Sequence, residues 1–463
     1  MLNKNLSEQK FHQIVENKFQ IYNSLFMSLP YEKMLNIGSL IPFLYEESNK
    51  GLPEGKSPNE IITNFFEKYT DLKTEKEQID LMFRMIQYIE RQVVLFDSIE
   101  DAAFSSLHSE NEKGSLESIY HIAQSQGKLE QVRERIQDFT TRVVFTAHPT
   151  QFYPTNVQQI IQDLRDAIQQ DSVSKIDMLL QQLGKTPFIN EEKPTPYDEA
   201  VSIIYYLQNV YYQTIGRLYN DVNQLFFTES HPLKSPIIQL GFWPGGDRDG
   251  NPFVTAEITW KVASLLRTSI LKVYYKHLKI VQRRLTFKHV SQPLKELNDL
   301  IYKNMFDENG TIYLDDIKSR LQRIRTILIE EHNGIFLNIL DDFIMRVEIF
   351  GLHFASLDIR QDSRIHQKVI NQIVEKYTGI NLENVTESEK IEILTNPQFI
   401  AKPEDFEEDI VIDTIKNVYQ LKDIQKRNGE TGVNRYIISN SETIFDVLNV
   451  YALFKFCGYQ DEE

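Results

Sequence analysis

Four short apolar segments, each followed by a group of polar residues, constrain the fold of this chain more than any other feature. They lie at residues 142–147, 236–243, 352–359 and 435–439. Each is rich in β-branched or aromatic residues, which is typical of β-strands. Because long helical stretches separate them, neighbouring strands can pair only in parallel. The sequence therefore predicts an α/β fold that is predominantly helical, with about four parallel strands.

The stretches around these segments have the spacing of helices. Residues 1–140 form a predicted N-terminal helical region, with apolar residues at intervals of three and four in 81–104. A helix begins at Thr195-Pro196, where threonine can cap and proline fits the first turn, and continues to about residue 227. Further helices are predicted at 255–284, 313–350, 364–377 and 407–428. The sheet and its helical insertions would then occupy residues 141–463.

Charge and cysteine content exclude several classes of partner. The formal net charge is −16 and the pI is about 5.2, so the surface repels nucleic-acid phosphates and disfavours a polybasic membrane contact. Cys457 is the single cysteine, which rules out an intrachain disulfide and a cysteine metal site. This content suits a cytoplasmic protein. The N-terminal segment has the periodicity of an amphipathic helix and lacks the apolar run of a signal peptide.

The polar residues after the strand segments are the candidate site, because α/β barrels place their active sites at the carboxyl ends of parallel strands. His148 follows the first segment and precedes a proline. The pKa of a free imidazole, roughly 6.5, suits proton transfer near neutral pH. A histidine in a soluble chain is also commonly a structural residue. Its position at a strand end favours a catalytic role for His148.

The segment GGDRDGNP, residues 245–252, follows the second strand and allows two interpretations. Its glycines would let a loop that carries Arg248 approach a ligand closely. Alternatively, the segment is a tight turn held by Asp–Arg ion pairs. Trp243, just before it, is either a core residue or the apolar wall of a pocket.

Arg360 follows the third strand and is the strongest anion-binding candidate, since guanidinium groups bind phosphate or carboxylate with paired hydrogen bonds. The alternative is an ion pair with a nearby aspartate, such as Asp358 or Asp362.

Three segments, VVFTAHPTQ, GFWPGGDRDGNP and GLHFASLDIRQDSRIH, resemble the N-terminal signatures of phosphoenolpyruvate carboxylase. YIERQVVLFDSIEDAAF, TPYDEAV and RYIISNSETIFDVLNV are similar to further family segments, and all occur in family order between about residues 88 and 450. Gln151 stands where glutamate is often found, and Pro244 stands where methionine is common. Neither change removes a catalytic group.

The resemblance implies a lyase that adds bicarbonate to phosphoenolpyruvate, giving oxaloacetate for the tricarboxylic acid cycle, with Mg²⁺ or Mn²⁺ as cofactor. The phosphoryl group first passes to bicarbonate, which gives carboxyphosphate and an enolate. A histidine matching His148 then takes the proton of carboxyphosphate, and the CO₂ released is captured by the enolate. The resemblance also implies that Arg360 helps hold the phosphate and that Trp243 lines an apolar pocket. The two interpretations of GGDRDGNP can both hold, and we then expect Arg248, held by its neighbouring aspartates, to shape the substrate site.

Family members are roughly twice as long as this chain and form a tetrameric, largely helical (β/α)₈ barrel of the TIM type. The resemblance thus implies half a barrel here, with the metal ligands in the other half and none in this one. Half a barrel has two open strand edges. We therefore expect a truncated chain, a partial gene or one subunit of a split enzyme with a separate C-terminal half, inactive alone. A non-catalytic binding or scaffold protein derived from the same fold is the alternative.

Overall fold

The computed structural model describes residues 2–27, 37–104, 114–146, 153–188, 194–227, 233, 236–307 and 312–459. The first elements in chain order are α1 (Leu2–Met27), α2 (Ile37–Gly51), α3 (Pro58–Tyr69), α4 (Glu75–Ala103), α5 (Leu116–Ser125), α6 (Leu129–Asp138), β1 (Thr141–Phe145), α7 (Thr155–Gln169), α8 (Val173–Lys185) and α9 (Pro196–Tyr206). A π-helical turn (Leu207–Tyr211) leads to α10 (Tyr212–Phe226), β2 (Ile238–Phe242), α11 (Ala256–Arg284), α12 (Ser291–Asn304), α13 (Leu314–His332), α14 (Leu337–Phe350), β3 (Ser356–Asp362), α15 (Ser363–Thr378), α16 (Glu387–Thr395), α17 (Asp409–Asn428), β4 (Arg435–Ser439) and α18 (Ile444–Phe456).

A helical unit is formed by Met1–Ser118 together with Gln151–Lys193. Its long helix α4 is capped by Thr74, whose side chain accepts a hydrogen bond from the backbone of Glu77 while the Glu77 carboxylate accepts one from the backbone of Thr74. This capping box satisfies two amides that the first turn would otherwise leave unpaired. The apolar sides of α1, α4, α7 and α8 pack together, and side chains such as Leu95 and Leu164 are fully buried there.

A sheet unit is formed by Ile119–Thr150 together with Pro194–Glu463. Its four strands are all parallel and follow one another in the order β1-β2-β3-β4. The predicted α/β class with four parallel strands is therefore confirmed, and this order is consistent with part of a barrel. Within the described residues, β1 pairs only with β2 and β4 pairs only with β3.

The helices of the sheet unit begin where local sequence predicts. Thr195 caps α9 by accepting a hydrogen bond from the backbone of Asp198, and Pro196 occupies the first helical position, as expected. Thr255 caps α11 in the same way. Helices α15, α17 and α18 share a buried apolar core with Val369 and Phe456 at its centre. One side of β3 contributes Leu357 and Ile359, both fully buried.

Two predicted boundaries were wrong. The third strand begins at Ser356 rather than at residue 352, because Gly351 and Phe354 have positive φ angles of 51° and 63° and form turns. The continuous helix predicted at 313–350 is two helices. It is interrupted where Asn333 and Phe336 adopt left-handed backbone conformations.

Candidate active site

One face of the sheet carries most of the polar side chains. Val144, Gly241 and Ser356 are register partners in adjacent parallel strands, so their positions face the same side. Side chains alternate along a strand, which places residues two positions away on that side as well. The face therefore includes Arg142, Trp243, Asp358 and Arg360.

Arg360 lies near the carboxyl end of β3 and is held by two carboxylates. Its Nη1 donates to both oxygens of Asp247, at 3.0 and 3.1 Å, and its Nη2 lies 2.7 Å from Oδ2 of Asp249. The guanidinium carbon lies 5.0 Å from the ring centroid of Trp243, a cation–π contact. A quarter of the Arg360 side chain remains exposed, so an anion can still approach it.

Asp358 lies two residues before Arg360 on β3 and binds the side chains of both Arg142 and Trp243. Its carboxylate is fully buried and accepts two hydrogen bonds from the Arg142 guanidinium, at 2.8 and 2.6 Å. The indole Nε1 of Trp243 donates to the same carboxylate at 3.1 Å. Arg142 spans β2 at Gly241, where an added Cβ would lie 2.6 Å from the guanidinium. Position 241 must therefore be glycine if the Arg142 side chain, from β1, is to cross β2 and bind Asp358 on β3.

The GGDRDGNP segment continues the pairing of β2 with β3 beyond the strand. The amide of Arg360 donates to the carbonyl of Gly246 at 2.9 Å, and the amide of Arg248 donates to the carbonyl of Arg360 at 2.8 Å. An added Cβ on Gly246 would lie 2.1 Å from the carbonyl oxygen of Asp358. This close approach explains the second glycine of the segment.

Arg248 points away from Arg360. Its Nη2 donates to Oδ2 of Asp413 on α17 at 2.6 Å, and its side chain is 3% exposed. The other oxygen of Asp413 accepts from the backbone amide of Ala256, the first residue of α11, at 2.9 Å. Arg248 therefore fastens the segment to α11 and α17, on the opposite side from Asp247 and Arg360, as strand alternation requires.

The polar groups after β3 and β4 join each other. Asp362 caps α15 by accepting from the amide of Arg364 at 2.8 Å, and its carboxylate also accepts from Nδ2 of Asn440 at 2.7 Å. Hydrogen bonding from the Arg364 side chain is the main cause that holds the pKa of Asp362 well below its ordinary value. Ser363 donates to the carbonyl of Asn440 at 2.8 Å. These contacts fix the carboxyl ends of the two strands together.

Charge is nearly balanced among these groups. Four arginines face five aspartates, so the sum of their charges is +4 − 5 = −1; they are Arg142, Arg248, Arg360 and Arg364, and Asp247, Asp249, Asp358, Asp362 and Asp413. Across the residues that the structure describes, no three histidine, cysteine, aspartate or glutamate side chains are grouped so that they could hold a metal ion. The described residues therefore do not fit a Mg²⁺ or Mn²⁺ site.

Comparison with known proteins decides the family. A sequence model described as phosphoenolpyruvate carboxylase matches residues 79–312 and 303–463. The chain belongs to the phosphoenolpyruvate carboxylase family. A phosphoenolpyruvate carboxylase of Trichormus variabilis is 27% identical over 70% of this chain, and one of Vibrio parahaemolyticus is 26% identical over 70%. One of Aliivibrio salmonicida is 26% identical over 89% of the chain.

The chain spans 39%, 42% and 50% of the lengths of these three phosphoenolpyruvate carboxylases. Its region of similarity thus corresponds to at most half of each relative. None of the helices in the described ranges has a stretch long and apolar enough to cross a bilayer.

The structure brings some of the predicted site residues together and separates one from the others. Trp243 and Arg360 are in contact, whereas the Arg248 guanidinium pairs with Asp413 on the other side. His148 is the predicted catalytic residue. It lies outside the residues that the structure describes. The alternative partners suggested for Arg360 are engaged elsewhere, Asp358 by Arg142 and Asp362 by Arg364.

Sequence reasoning missed Arg142 and the central role of Asp358. Both are charged residues inside segments that otherwise read as buried strands. A charge in such a segment needs a partner in the folded state. That signal could have marked the two as a pair, although it could not have shown that they pair across β2.

Proposed function

We propose that this chain supplies part of the active site of a phosphoenolpyruvate carboxylase, which converts phosphoenolpyruvate and bicarbonate to oxaloacetate and phosphate. The observation that carries the proposal is the contact of Arg360 with Trp243 at the carboxyl ends of β2 and β3, held by buried carboxylates. This arrangement presents a cation and an aromatic face side by side. Phosphoenolpyruvate has a phosphate and an apolar methylene side by side as well.

In this proposal, Arg360 binds the phosphate and Trp243 covers the methylene. Asp247 and Asp249 hold the two terminal nitrogens of Arg360, so the guanidinium is oriented before substrate arrives and loses little freedom on binding. Asp358 fixes the indole through its Nε1. Trp243 also excludes water, which would otherwise hydrolyse carboxyphosphate or protonate the enolate.

His148 acts as the base for carboxyphosphate in the same proposal. It follows β1 by three residues in the sequence. β1 pairs with β2 along its whole length, and the amide of Trp243 donates to the carbonyl of Phe145 at 2.9 Å. The strand that leads to His148 is thereby joined directly to the residue that we assign to the substrate pocket. We reassign Arg248 from substrate binding to holding the GGDRDGNP segment in place.

The charge balance leads us to propose that the catalyst is incomplete in these residues. A phosphate ester adds two or more negative charges to a set of groups that already sums to −1. Phosphoryl transfer needs cations around the transferred group. Members of the family use a divalent metal, and the described residues do not offer a site for one. Further cationic groups must therefore come from beyond the part of the chain that the structure describes.

The test is an oxaloacetate assay coupled to malate dehydrogenase, with Mg²⁺, bicarbonate and phosphoenolpyruvate. We expect no turnover from the 463-residue chain alone, and turnover when it is co-expressed with the polypeptide that its genome encodes for the rest of the family sequence. Arg360→Lys should then lower kcat/KM by about a hundredfold or more, because lysine lacks the planar pair of donors. His148→Asn should lower kcat by about 10²–10⁴-fold.

The control is Arg325→Lys, at a half-exposed ion pair with Asp341, which should leave turnover unchanged. Turnover by the chain alone would refute the claim that the catalyst is incomplete. Failure of Arg360→Lys to differ from Arg325→Lys would refute the assigned phosphate site. A genome without the remaining family sequence, together with no binding of phosphoenolpyruvate, would favour the non-catalytic scaffold alternative.

A further inference from the structure

A cleft lies on the far side of the GGDRDGNP segment from Arg360. Its volume is about 700 Å³, and it is walled by that segment, by the start of α15 and by one face of α17. Ile365, Ile410 and Ile412 give it apolar walls. Nothing in the proposed carboxylase site uses this space.

Arg248 borders this cleft with donors that are not matched. Its side chain is 3% exposed, and a single nitrogen, Nη2, bonds to Asp413. The Nε and Nη1 groups are buried and have no hydrogen-bond partner among the residues that the structure describes. Leaving a buried donor unsatisfied costs about 1–3 kcal/mol, so an acceptor that enters the cleft and reaches these groups recovers that cost.

The face of α17 supplies further charge. Asp409, Asp413 and Lys416 lie at helical spacing on the side that borders the cleft. Asp413 is already committed to Arg248 and to the amide of Ala256. Lys416 is exposed at the rim, one turn from Asp413, and adds a second cation beside Arg248.

The geometry points to a binding site for a small monocarboxylate with a short branched apolar chain. Its carboxylate lies between Arg248 and Lys416, and its apolar part packs on the isoleucines of α15 and α17. Arginine favours a carboxylate through paired hydrogen bonds, and the apolar walls disfavour a bare inorganic anion. This inference goes beyond the proposed function and does not depend on it.

Such a site would share its wall with the candidate active site. The amide of Arg248 donates to the carbonyl of Arg360, while the neighbouring Asp247 and Asp249 hold the Arg360 side chain. A ligand that draws Arg248 away from Asp413 would therefore act on the segment that orients Arg360. The reverse effect, of a phosphate on the cleft, follows by thermodynamic linkage.

The test measures binding to the purified 463-residue chain by saturation-transfer difference NMR, with isovalerate as the probe and the neutral isovaleramide as its uncharged match. We expect isovalerate to bind saturably with a Kd of about 1 mM, typical for a ligand of this size. Isovaleramide should bind at least about tenfold more weakly, because it lacks the charge that Arg248 and Lys416 recognise.

Two variants and a control localise the site. Arg248→Lys should weaken isovalerate binding about tenfold, and Lys416→Met should weaken it about threefold, since the exposed lysine is screened by water. Lys426→Met is the matched control, because it removes another exposed lysine of the same helix about 15 Å away, outside the cleft. It should bind like the unmodified chain.

Equal binding of the acid and the amide would overturn the proposal. Unchanged isovalerate binding in Lys416→Met would also overturn it. Lys416 is exposed, so its replacement does not threaten folding. Absence of saturation at concentrations far above 1 mM would overturn it too. None of these outcomes bears on oxaloacetate formation, so the proposed function would stand or fall separately.

Discussion

Replacing Arg142 with methionine should destabilise the sheet unit far more than the loss of an ordinary ion pair. Methionine keeps most of the apolar stem but removes both donors to Asp358, at 2.8 and 2.6 Å. The Asp358 carboxylate is fully buried, so it would be left with the indole Nε1 of Trp243 as its remaining side-chain donor. Breaking a buried pair by removing one partner costs about 3–5 kcal/mol. Since 18% of the Arg142 side chain is exposed, water can reach part of the gap, and we expect about 3 kcal/mol.

The assay is urea unfolding followed by tryptophan fluorescence. The chain has two tryptophans, Trp243 and Trp260, and both lie in the sheet unit, so the signal reports the unfolding of that unit. Arg325→Met is the matched control. It breaks an Arg–Asp pair of similar geometry in which both side chains are more than a third exposed, and it should cost about 0.5 kcal/mol.

A double variant measures the interaction energy between Arg142 and Asp358 separately from the contribution of each residue alone. Arg142→Met with Asp358→Asn removes both charges and keeps an acceptor for Trp243 Nε1. Its loss in the free energy of unfolding should be about 2 kcal/mol smaller than the sum of the losses in the two single variants. A cost for Arg142→Met within about 1 kcal/mol of the Arg325→Met control would refute the reasoning. Strict additivity in the double variant would refute it as well.

Two further perturbations test other parts of the sheet unit. Gly246→Ala should lower the free energy of unfolding by several kcal/mol, because its Cβ would lie 2.1 Å from the backbone oxygen of Asp358. Gly250 has a φ of +68° but no atom within 4 Å of an added Cβ, so Gly250→Ala should lower it by only about 1 kcal/mol in the same urea assay. Burial is the main cause that lowers the pKa of the fully buried His366 to about 4. At this group the unfolded chain therefore binds more protons than the folded one between about pH 4 and 6.5. The contribution of His366 to the free energy of unfolding should fall by about 3 kcal/mol as pH drops through that window. His366→Gln should remove this part of the pH dependence, and an unchanged slope would contradict the assignment.

Much of the fold follows from local sequence. The capping residues of α9 and α11 act on their own first turns, so Thr195 and Thr255 mark helix starts without knowledge of the rest of the chain. Parallel pairing follows from the long crossovers between strands. The start of β3 was misplaced because Leu352 and Phe354 alternate like strand residues, yet their burial comes from turns that pack in the core.

The site was less accessible to sequence reasoning, because its ion pairs join residues from different strands. Arg360 pairs with Asp247, 113 positions earlier, and Arg142 pairs with Asp358, 216 positions later. Such partners depend on strand register, which sequence alone did not provide. The local partners suggested for Arg360 were plausible by distance along the chain. The actual partners come from the neighbouring GGDRDGNP segment.

The alternating charges of GGDRDGNP acquire their meaning from this register. The segment runs beside the end of β3, so its aspartates face Arg360 while its arginine faces the helices. A loop with the same composition but without this pairing could direct all three charges at one ligand. Here Asp247 and Asp249 orient the cation of one site, while Arg248 borders a separate cleft. A change of Arg248 should therefore alter the candidate active site through the position of Asp247 and Asp249, not through a lost contact with phosphate.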